Sequence, residues 1–141
     1  MLVVFPLGLW VTAVGFDIAA MITGNPTFRV VAFYNIGVGI LGALAAAVPG
    51  LMDYFTLSGR AARIATFHML LNVSALTLFS VSWLLRTRWA AGIAGTDSWV
   101  AEVLAMAGLA VLAPAGWLGG ELVFGAAEDT TKRESAGRRA A

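Results

Sequence analysis

Few side chains in this sequence could do chemistry, and most of them stand where ionisable groups are rare. His68 is the chain's one histidine and lies in a stretch, 64–85, with no other ionisable residue. Asn72 follows four residues later, so on a helix the two form a polar stripe on one face. Asp53 and Glu121 stand at the ends of two other apolar stretches. At about 1.5 Å per helical residue, His68 lies roughly 7 Å inside its stretch, and all three could meet at one depth. An imidazole and two carboxylates form a reasonable donor set for a metal, which makes His68, Asp53 and Glu121 candidate metal ligands. His68 alone is a candidate haem ligand, and Asp17, His68 and Glu121 are candidates for proton or small-solute movement. The spacing matches no defined metal motif, neither His-x-x-Glu-His nor Glu-x-x-His. A hydrogen-bonded network that pins three helices together explains the same residues. Both readings stand at this stage.

A second polar group lies at the opposite depth. Asp17, Asn35 and Glu102 fall at similar levels, with Arg29, Arg86 and Arg88 near enough to reach in. Long arginine side chains can pair with such carboxylates from the interface. An entrance for protons or cations is the other reading. Nucleophilic catalysis has no support, because Ser74, Ser80 and Ser82 have only His68 as a base. No catalytic residue is assigned and no enzyme is expected. The sequence has no cysteine, which excludes disulfides, thiolate metal sites and cysteine nucleophiles.

The elements that must position these groups follow from composition. Of 141 residues, 60% are hydrophobic and 12% charged. A soluble domain carries about 25% charged residues. This chain cannot cover its surface as a soluble monomer, and disorder is excluded for most of it. A net charge of +1 gives no field to draw nucleic acid.

Four stretches, 2–23, 30–52, 64–85 and 103–124, are nearly free of charge. Each is about as long as the roughly 20 residues that cross a bilayer. Lipid offers backbone groups no partner, so each is expected to be helical. A soluble four-helix bundle would show a charged face on each helix, and none does. The connecting stretches 24–28, 54–62 and 88–100 are short, which implies antiparallel neighbours. The expected fold is all-α: a four-transmembrane-helix antiparallel bundle over 1–124, embedded in a lipid bilayer. The polar residues 125–141 are expected to form a disordered or weakly helical cytoplasmic tail. The first stretch lacks the basic flank of a signal peptide and is read as a retained helix. Met1 leads straight into apolar residues, so the natural start is expected to lie upstream. No internal repeat supports transporter architecture.

Arginine and lysine counts set the orientation. Arg60, Arg63, Lys132, Arg133, Arg138 and Arg139 fall on the side of both termini, against Arg29, Arg86 and Arg88 on the other. Both termini are therefore expected in the cytoplasm. Trp83, Trp89, Trp99 and Tyr34 then fall at the outer interface, and Tyr54 at the inner one. Small residues permit close helix contact in lipid. Gly39 and Ala43, Gly116 and Gly120, and Gly15 and Ala19 mark candidate faces. They serve either packing within the bundle or a homo-oligomer through Gly39/Ala43 or Gly116/Gly120. Pro49 and Pro114 are tolerated inside membrane helices.

Four segments together resemble a known family. They are Phe5-Pro6-Leu7-Gly8-Leu9-Trp10, Pro49-Gly50-Leu51-Met52-Asp53-Tyr54, His68-Met69-Leu70-Leu71-Asn72 and Gly116-Trp117-Leu118-Gly119-Gly120-Glu121-Leu122-Val123. The chain resembles, up to about Phe124, a bacterial four-helix membrane family catalogued as domain of unknown function 2231. The resemblance implies four spans in a bacterial cytoplasmic membrane and brings no established activity. Many relatives carry His-Pro before the first helix and His-Gly after the Gly-Gly-Glu-Leu-Val element. Here Met1 and Phe124-Gly125-Ala126-Ala127 stand instead, so His68 alone remains for haem b or a metal. The expectation is a small structural or accessory membrane protein. A haem- or metal-binding redox protein using His68 is the alternative, and proton or small-solute transport is the second.

Overall fold

A computed structural model describes residues 3–90 and 99–140, with side chains from 3 to 87 and from 99 to 124. Four helices follow one another: α1 Val4–Thr23, α2 Pro26–Tyr54, α3 Gly59–Ala90 and α4 Trp99–Ala140. Each contains a stretch long and apolar enough to cross a membrane: Val4–Thr23, Pro26–Tyr54, Gly59–Thr87 and Trp99–Phe124. The fold is the antiparallel four-helix bundle that the charge-free stretches imply.

α2, α3 and α4 run further than their charge-free stretches. Arg29, Arg63 and Arg86 lie inside helices, while Asp53 and Arg60 lie in the last turn of α2 and the first turn of α3. Charge marks where hydrocarbon stops, and a helix can continue past that boundary into the headgroup layer. Connections shrink to match. The α1–α2 turn is Gly24 and Asn25. Gly24 takes φ 69°, the left-handed conformation that glycine adopts without a Cβ penalty, and its N–H closes on the Ala20 carbonyl at 2.9 Å. Asn25 caps α2: its Oδ1 accepts the Thr27 N–H at 3.0 Å, and Pro26 takes the first helical position. The α2–α3 turn is 55–58 and ends at Gly59, φ 62°. The connection expected between the third and fourth helices lies largely outside the described residues. The backbone of 125–140 continues α4; its alanine, glutamate, lysine and arginine are good helix formers.

Packing is strongest between α1 and α2 and between α3 and α4. The core gathers Trp10, Ala13, Val14, Ala32, Ile36, Ala75, Phe79, Ala105 and Leu112. Trp10 and Phe79 stack across it with ring centres 4.3 Å apart. Glycine makes these rings fit. Trp10 lies where a Cβ on Gly39 would stand, Trp83 fills the same space at Gly37, and Phe79 at Gly108. Gly39 is thus spent inside the bundle under Trp10. Gly15, Gly116 and Gly120 have no such neighbour within 4 Å. Small-residue spacing alone cannot separate these cases, because it does not fix which way a helix face turns. Trp83, expected at the lipid interface, stacks on Phe33 at 5.4 Å. Tyr34, Trp99 and Trp117 are exposed. Trp89's side chain lies outside the described ones.

These contacts separate the glycines by measurement. Gly39→Ala drives a methyl into a buried, stacked tryptophan and is expected to cost about 1–3 kcal/mol. Gly116→Ala is expected within about 0.5 kcal/mol of the parent. Thermal unfolding in one detergent, read for both variants, checks the difference.

Candidate functional site

The polar side chains gather at two levels. The first lies near the α1–α2 turn. Asp17 on α1 and Arg86 on α3 are both buried. Arg86 Nη1 donates to Asp17 Oδ1 and Nη2 to Oδ2, each at 2.7 Å. This is the bidentate fork that matches guanidinium to carboxylate. The third edge of the guanidinium is used as well: Nε donates to Ser82 Oγ at 3.3 Å. Ser82 precedes Arg86 by one helical turn, so both point the same way. Its own hydroxyl donates to the Ala101 carbonyl of α4 at 2.6 Å. Beside it, Arg29 on α2 donates through Nε to Glu102 Oε1 on α4 at 2.9 Å. Glu102 is buried, whereas the Arg29 side chain keeps 34% of its surface exposed.

The two ion pairs cross. Asp17–Arg86 joins α1 to α3, and Arg29–Glu102 joins α2 to α4. These are the diagonals of the bundle, whose backbones lie too far apart to pack directly. Only long side chains span them. Of the three arginines expected near these carboxylates, Arg86 and Arg29 make the pairs; Arg88's side chain lies outside the described ones. Asn35 is half-buried on α2 and joins neither pair.

The second level lies toward the α2–α3 turn. His68 Nδ1 lies 2.8 Å from the Ala115 carbonyl of α4. A carbonyl only accepts, so Nδ1 carries the proton and Nε2 is left as an acceptor for Asn72 Nδ2, 3.2 Å away. Asn72 Nδ2 also donates to the His68 carbonyl at 2.7 Å. The imidazole rests on Gly119, where a Cβ would come within 3.0 Å of Cε1. Glu121 turns outward and accepts from Arg60 Nη2 at 2.8 Å. Asp53 is exposed at the end of α2. Among the described residues, no three histidine, aspartate or glutamate side chains gather to hold a metal ion. His68 and Asn72 therefore meet as their spacing implies, while Asp53 and Glu121 stay apart from them. The roles of Gly119, Ser82 and the Ala115 carbonyl were not legible. A backbone acceptor leaves no mark in sequence, and Gly119 sits among several glycines.

The family model described as "Predicted membrane protein (DUF2231)" matches residues 1–132. The chain belongs to this family. No curated protein and no solved structure matches it. The chain is thus a multi-pass membrane protein of the DUF2231 family, and its site chemistry rests on its own residues.

The two ion pairs are expected to differ in strength. Asp17→Asn leaves Arg86 buried without its counter-charge, which costs about 3–5 kcal/mol. Glu102→Gln costs less, because Arg29 can turn toward water or lipid headgroups. Chemical unfolding of both variants in the same micelles gives the ranking; equal losses would put the two pairs in like surroundings.

Proposed function

We propose that this DUF2231 protein is a structural or accessory component of a bacterial cytoplasmic membrane, with both termini in the cytoplasm and no chemistry of its own. One observation carries the reading. The buried ionisable groups Asp17, Arg86 and Glu102 and the half-buried His68 are each bound to another helix of the same chain. Their hydrogen-bonding capacity goes into assembly. The arginine and lysine asymmetry, six against three, supports the orientation. The open Gly116/Gly120 face is where a second copy would pack in this reading.

A second reading is favoured by the histidine itself. An imidazole that donates Nδ1–H to a backbone carbonyl is oriented as metal-ligating histidines usually are, with Nε2 left to bind. Among the described residues, Nε2 meets the Asn72 amide, at 3.2 Å. Rotation of Asn72 would release it to haem b or a metal.

One variant separates the readings. In the structural case, His68→Leu lowers the detergent unfolding temperature, and protein made with haem available shows no visible bands in either redox state. A Soret band in the parent that shifts on reduction and is absent from His68→Leu would establish the second reading in place of the first.

A further inference from the structure

Thr12, Ser74 and Thr77 are exposed on the spans, and each hydroxyl donates to the carbonyl four residues earlier, at 2.7, 2.9 and 2.8 Å. Hydroxyls bonded in this way can face lipid. Asn35 is different. Among the described residues its carboxamide has no hydrogen-bond partner. Nor is the amide sealed inside the bundle, where Trp83 Nε1 is the buried side-chain atom left unpaired. By helical rise Asn35 lies about 9 Å further along α2 than Arg29, within the charge-free stretch 30–52. Bonding back to its own helix, as Asn72 Nδ2 does to the His68 carbonyl, would still leave Oδ1 without a donor. An amide unpaired in hydrocarbon is costly.

Asn35 sits on the seam between α1 and α2. Phe28, Asn35 and Gly42 follow at seven-residue intervals along one face of α2. Phe28 stacks on Phe16 of α1 with ring centres 5.8 Å apart, and a Cβ on Gly42 would touch Phe5 and Pro6. Asn35 lies midway between these two contacts. On α1, Thr12 holds the matching place between Phe5 and Phe16. Nothing in the bundle stands within 4 Å of where a Cβ on Gly8 or Gly15 would be. Small residues beside the amide let another helix backbone approach it closely.

The geometry points to Asn35 as a contact between two copies of this chain. A carboxamide both donates and accepts, so it is its own complement. Across a two-fold axis, Nδ2 of each Asn35 donates to Oδ1 of the other. Lipid tails offer neither group. This contact goes beyond the structural reading: it lies on α1 and α2, apart from the Gly116/Gly120 face of α4, and is independent of any ligand on His68.

Energy transfer between copies in liposomes tests it, since the chain has no cysteine of its own to compete for dyes. Donor and acceptor are placed on Val38→Cys, one turn from Asn35, or on Trp117→Cys of α4, both exposed sites. Transfer is expected to rise with the protein-to-lipid ratio and to be stronger from Val38 than from Trp117. Asn35→Leu is expected to raise the ratio needed for half-association about tenfold, with the detergent unfolding temperature no lower than the parent's. Asn35→Gln, which keeps the amide, is expected to retain most of the association. Monomers at every ratio, or association that Asn35→Leu leaves unchanged, would overturn the contact. Stronger transfer from Trp117 would also overturn it and move the interface to the Gly116/Gly120 face, leaving the structural reading in place.

Discussion

Two carboxylates inside an apolar bundle constrain everything around them. A charge in that medium must find a counter-charge at hydrogen-bonding distance or not exist as a charge. Asp17 and Glu102 meet this demand with arginines from the opposite corners of the bundle. That choice fixes more than two bonds. Arg86 reaches Asp17 only if α1 and α3 stand at one height and turn these faces inward. Arg29 sets the same condition on α2 and α4. The rotation and register of all four helices are tied to two crossing contacts.

The rest of the packing agrees with that register. One and two turns below Asp17, Ala13 and Trp10 enter the core, and Trp10 stacks on Phe79 two turns below Arg86. Gly39 and Gly108 leave the space that these rings take. Lipid gives helices no hydrophobic reason to associate, so specificity must come from such fitted contacts and from buried polar pairs. At the other end the constraint relaxes. Polar contacts there link mainly α3 to α4, through His68 and the Arg60–Glu121 pair, and α2 is left largely bare.

The spans were legible because they depend on composition alone: about twenty residues without charge must be a helix in lipid. The helix ends were not, since Arg29, Asp53 and Arg60 mark the edge of hydrocarbon while the backbone bonds continue past it. The pairing of Asp17 with an arginine was legible from depth, but three arginines stood at that depth and only the fold selects Arg86. Asn72 was placed beside His68 by the four-residue spacing. Convergence of His68 with Asp53 and Glu121 was a statement about depth, and depth does not determine rotation. Glu121 turns to Arg60 instead. The Gly39 and Gly116 motifs look alike in sequence, yet one lies under a tryptophan and the other faces outward.

The most direct test of the crossed-pair account is a charge exchange on the buried diagonal. Asp17→Arg and Arg86→Asp are made singly and together, and unfolding in detergent is followed for all three. If the pair sets the register, each single exchange places like charges face to face and loses the folded state. The double exchange then recovers a substantial part of it. Single variants as stable as the parent, or a double variant no better than the worse single, would contradict the account.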